Sequence, residues 1–172
     1  MHAPTSVRSI ASFLLLVGTV ACADHATPTA PPSPSAPHLS FSKGKDGNKV
    51  AVCKLQKEDW RSAQIGSKGG KVKVGSTELD VPAGALARTV TITAHSLPTT
   101  SASVQFAPEG LHFAVPATLK MDYSKCDTPV LGVTVVYVQA DTVTEVEPSQ
   151  NHPVLKYVVA KIGHFSSYAV AY

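Results

Sequence analysis

The residues best able to bind something are cations crowded near the front of the folded part. Residues 41–73 carry nine Lys or Arg and three acids, a surplus of six positive charges. Lys54, Lys57, Arg61, Lys68, Lys71 and Lys73 are the candidate binding set. Such a group attracts anionic lipid or a phosphate-bearing glycan, and its attraction weakens with salt. A solvated loop region produces the same composition. Trp60 either caps a core or stacks on a sugar. Metal and catalytic chemistry have less to work with. No two of His95, His112, His152 and His164 stand at metal-ligand spacing, so no metal or cofactor is expected. There is no phosphate-binding loop, no Gly-x-Ser-x-Gly elbow, no His-Glu-x-x-His and no dinucleotide fingerprint. A non-enzymatic protein is the expectation.

Composition bounds the partners. The chain has 172 residues, a formal net charge of +3 and 44% hydrophobic residues. That is one domain's worth of a globular chain. So small a net charge does not fit a dedicated nucleic-acid binder. The longest apolar run, Ile10 to Ala21, is too short to cross a bilayer.

That run is better read as an address. Arg8, the apolar stretch and then small residues have the layout of a secretory signal over residues 1–21. Thr19-Val20-Ala21-Cys22 resembles the lipobox of bacterial lipoproteins. The resemblance implies that Cys22 becomes the first residue and carries the lipid, anchoring the protein in the cell envelope. Ala23, rather than Asp, follows that cysteine, which favours the outer membrane. Residues 23–40 hold five prolines and almost no large apolar side chain. Such a segment cannot offset its chain entropy by burial. At ~3 Å per residue, a Pro-rich stalk over 22–47 reaches about 75 Å. With Cys22 lipidated, Cys53 and Cys126 remain. An even pair in an exported chain reads as a disulfide. Two buried thiols or half of a metal site are the alternatives.

From residue 48 to 172 the dominant period is two. Val72 and Val74 alternate with lysines, and Val90, Ile92 and Ala94 alternate with threonines. Leu119, Met121 and Tyr123 form another inward set. Leu155, Tyr157 and Val159 are expected to face inward, as are Tyr168, Val170 and Tyr172. Residues 132–140 are apolar on both faces and should form a central strand. Residues 48–56 read as a weaker strand, and residues 54–65 have room for one short turn of helix. Prolines and glycines separate the runs. The pattern predicts an all-β fold, a single antiparallel β-sandwich, with the signal and stalk before it.

Three motifs carry a resemblance. They are Ile65-Gly66-x-x-Gly69-Gly70 followed by Val81-Pro82-Ala83-Gly84-Ala85; Phe106-x-Pro108-x-Gly110-Leu111-x-Phe113; and His164-Phe165-Ser166-x-Tyr168. Together they resemble the ZU-five domain of ankyrins, netrin receptors and the zonula occludens protein, over about residues 65–172. The resemblance implies a β-sandwich that serves as an interaction module, with a protein or an anionic glycan as partner. His164-Phe165-Ser166 also resembles the site at which some autoproteolytic relatives cut themselves. There the Ser166 hydroxyl would attack the Phe165 carbonyl carbon to give an ester for water to hydrolyse. His164 would take the proton or orient the peptide, and a turn at Gly163 would supply strain. No oxyanion donor is evident from the letters. The plain reading makes Gly163 a strand end and Phe165 a core residue.

Overall fold

The computed structural model describes residues 47–172. The signal segment 1–21, Cys22 and almost all of the stalk therefore lie outside the described residues. Among those described there are thirteen strands and no helix. They are β1 (Val52–Cys53), β2 (Asp59–Ile65), β3 (Gly70–Val74), β4 (Thr77–Val81), β5 (Val90–Ser96), β6 (Ser103–Ala107), β7 (His112–Asp122), β8 (Cys126–Asp127), β9 (Thr134–Gln139), β10 (Thr142–Glu147), β11 (Ser149–His152), β12 (Tyr157–His164) and β13 (Ser167–Ala171).

Every pairing is antiparallel, as hairpin-rich sequences with alternating faces require. One sheet has the order β10-β9-β13-β6-β5-β2, and the other β11-β12-β7-β4-β3. β1 and β8 form a separate two-stranded ribbon. The inward faces of the two large sheets share one core. Ile92, Val104, Phe106, Val135, Tyr168 and Val170 come from the first sheet. Val72, Leu79, Leu119, Met121, Val158 and Ile162 come from the second. This is the β-sandwich the alternation predicts. A smaller cluster on the outer face of the six-stranded sheet joins Val136, Val138, Val143, Ala169 and Ala171, with Val50 and Val146 against it.

The aromatic centre of the core follows from the motifs. Phe165 stacks on Phe106 at 5.1 Å and meets Phe113 edge-on at 4.9 Å. The turn at Pro108 to Gly110 lets Phe106 and Phe113 reach the same side chain. Gly69 has φ +75°, and a Cβ there would lie 2.3 Å from the Val81 carbonyl oxygen. Only glycine fits both the backbone and the space.

Four expectations need correction. Leu155 is 66% exposed in a turn, and the inward residues of β12 are Val158, Ala160 and Ile162. The face is shifted by one residue because Tyr157 packs outside, stacked on His152 with the Lys120 ammonium 4.1 Å over its ring. Residues 59–65 are no helical turn but the edge strand β2, paired with β5 throughout. Trp60 on that edge is 64% exposed and does not cap the core. Gly163 does not end its strand. β12 runs on to His164, which pairs with His112 across a register shift.

Candidate functional site

The two cysteines of the domain are joined by a disulfide, Cys53–Cys126. They face each other directly in the β1–β8 ribbon. Around it, Lys49 and Tyr172 exchange backbone hydrogen bonds at 2.8 and 3.0 Å, and Ala51 N–H donates to Val170 at 2.8 Å. The bond thus staples β1, just after the chain enters the domain, to β8, just after β7. Disulfides of this kind persist in oxidising compartments.

The candidate cations do not make one free face. Arg61 pairs with Asp59 at 2.7 Å. Lys71 bridges Asp80 at 2.8 Å and Glu78 at 3.1 Å, since both acids lie on β4 opposite β3. Its hydrogen bond to Asp80, then that to Glu78, raises the lysine above its ordinary range. Lys54, Lys57, Lys68 and Lys73 are exposed. Exposed pairs such as these contribute little to stability.

The His164-Phe165-Ser166 segment is held by backbone hydrogen bonds on every side. Phe165 N–H donates to Leu111 (2.7 Å), and Phe106 N–H donates to the Ser166 carbonyl (3.0 Å). Gly110 N–H donates to the Phe165 carbonyl at 3.1 Å, a backbone donor that the letters alone did not reveal. Ser166 is 6% exposed. No hydrogen bond joins its hydroxyl to the His164 imidazole among the described residues. Gly163 is not among the residues with positive φ.

The imidazole of His164 faces other groups. It meets Tyr137 edge-on at 5.1 Å, with His112 at 5.8 Å. A donor atom of His164 also lies within 4.8 Å of carboxylate oxygens of Glu145 and Glu147, which are equally close to each other. This cluster joins the two sheets. The carboxylates come from edge strand β10 of the six-stranded sheet, and His164 ends β12 of the other.

A β-bulge makes the cluster. Val143 pairs with Val138, then the register shifts before Glu145 pairs with Tyr137 and Glu147 with Val135. Val143 and Val146 therefore share the outer cluster, and both glutamates turn to the inner face beside Tyr137 and Val135. Glu147 is only 6% exposed. No hydrogen bond or ion pair reaches its carboxylate among the described residues. Burial, and then the neighbouring Glu145 charge, push its pKa up to about 7. Tyr168 donates its phenolic hydrogen to the His164 carbonyl at 2.6 Å. Burial, with Glu147 and Glu145 adding to it, pushes that phenol well above its ordinary value.

Sequence reasoning missed this cluster. The glutamates carry no metal-site spacing relative to His164, and a strictly alternating β10 would have placed Val143 on their face. No family model matches the chain, and no curated protein matches it.

Proposed function

We propose that this chain is a non-enzymatic lipoprotein of the bacterial cell envelope. Cys22 carries the lipid, residues 22–47 form a stalk, and residues 48–172 form a binding module of the ZU-five type. The outer membrane is the anchoring surface, and the module's partner is another envelope protein. The observation that carries this reading is the Cys53–Cys126 bond. Of three cysteines it consumes two. Cys22 is left alone, immediately after an apolar export-type segment, where an unmodified thiol would be a liability. Fractionation of cells expressing the full chain tests the anchor. Wild type is expected in the membrane fraction and Cys22→Ser in the soluble fraction. A Cys22→Ser chain that stays with the membrane overturns the reading.

A second reading rests on Trp60. Its exposed ring on edge strand β2 is flanked in sequence by Arg61 and Lys57, a grouping suited to an anionic glycan. Binding to purified envelope polysaccharide should then fall steeply between low and high salt. It should also fall on Trp60→Ala. Binding that is absent at both salt concentrations removes this reading and leaves the protein partner.

A further inference from the structure

Glu147 raises a physical problem that the fold does not solve. The residue is 6% exposed, and its carboxylate receives no donor or cation from the described residues. Groups of this kind are stable in protein interiors only when neutral, hydrogen-bonded or beside a cation. A second carboxylate, Glu145, brings an oxygen within 4.8 Å of it. The third neighbour is an imidazole whose ring nitrogen is a good metal donor in the neutral form. All three donor atoms converge to within 4.8 Å of one another.

We infer that Glu145, Glu147 and His164 form a binding site for a divalent first-row transition-metal ion, zinc being the best fit. Two independent observations carry this. One is the convergence of three donors from two different sheets. The other is Glu147, only 6% exposed and unpartnered among the described residues, with its carboxylate at that convergence. The inference stands apart from the anchor and the partner proposed above.

The donor set selects the class of ion. Calcium takes six to eight oxygens and magnesium keeps an octahedron of oxygens, and neither favours imidazole. Copper(I) prefers thiolate or thioether. One imidazole with two carboxylates suits zinc, which binds nitrogen and oxygen at about 2.0–2.2 Å. Tetrahedral coordination at those lengths places ligand atoms about 3.4 Å apart. The donor atoms already lie within 4.8 Å of one another, and the exposed Glu145 side chain can close the remainder. Tyr137 packs on the His164 ring and holds its plane. Three protein ligands leave a fourth position for water or for a side chain of a partner. The ion would tie β10 to the end of β12 and so clasp the open edge of the sandwich.

The test uses the purified full-length chain, stripped with a chelator, and zinc chloride as the probe. Calorimetric titration should give one zinc per chain, and saturating zinc should raise the thermal midpoint by several degrees. Glu145→Gln and Glu147→Gln keep side-chain volume while weakening a ligand, and each should lower zinc affinity at least tenfold. The chelator-treated variants should melt cooperatively, which separates lost binding from lost folding. His95→Ala, outside the cluster, should bind as wild type. Absence of zinc binding by the wild-type chain overturns the inference. So does zinc binding that both glutamine variants retain at wild-type affinity.

Discussion

Breaking the Cys53–Cys126 bond should destabilise the whole sandwich rather than one corner. The bond closes a loop of 73 residues. That loop contains β2 to β7 entire, three strands from each large sheet. In the chain-entropy picture, releasing a loop of that length from the unfolded state costs the folded state about 4 kcal/mol. For a domain of this size each kcal/mol moves the midpoint by about 3–5 °C, so a fall of about 12–20 °C follows. The assay is calorimetry of the full chain with and without reductant, beside the Cys53→Ala, Cys126→Ala double variant. The reduced wild type and the double variant should melt together, and reductant should not change the double variant. Thiol titration must show the two domain cysteines protected before reduction and free after it. A fall of less than about 3 °C with both thiols free would refute the reasoning. It would mean that the β1–β8 ribbon detaches locally while the sandwich stays shut.

Three further outcomes follow from particular residues. In chelator, wild-type stability should fall as pH rises from about 4.5 to about 7. Over that window the unfolded Glu147 has lost its proton while the folded one, with its pKa pushed up to about 7, still holds it. Glu147→Gln should flatten that slope and be about 2 kcal/mol more stable than wild type at pH 8, the figure being reduced for solvent at the sheet edge. Equal slopes in denaturant titrations across that range would contradict it. Tyr168→Phe should cost about 1 kcal/mol, because it strips the His164 carbonyl of its donor in a partly buried place. Gly69→Ala should cost more than 1 kcal/mol, since its Cβ would collide with the Val81 carbonyl at a positive φ. Gly163→Ala, with nothing within 4 Å, should be nearly silent, and thermal melts compare the pair.

The sandwich was legible because its inner strands alternate cleanly. Val72 and Val74, Ile92 and Ala94, and Leu119 and Met121 are all buried as their spacing predicts. The disulfide was legible from cysteine parity once Cys22 was set aside. What escaped lies at sheet edges. β2 reads Asp-Trp-Arg-Ser-Ala-Gln-Ile, and an edge strand with one wet face and few core contacts leaves little apolar signal. On β12 the large Tyr157 faces outward under Lys120 while the smaller Val158 and Ala160 face in, so residue size misleads about the register. The Glu145, Glu147 and His164 cluster depends on a bulge in one sheet and on strand packing across to the other. Neither is written in local spacing.

The most direct measurement is the intact mass of the chain extracted from membranes without denaturation, followed by denaturing fragmentation. The predicted result is a single species spanning Cys22 to Tyr172, carrying lipid on Cys22 and two hydrogens lighter than its reduced form. A chain that still begins at Met1, or that carries no lipid on Cys22, would contradict the proposed anchor. Release of a separate peptide from Ser166 to Tyr172, abolished by Ser166→Ala, would contradict the non-enzymatic reading.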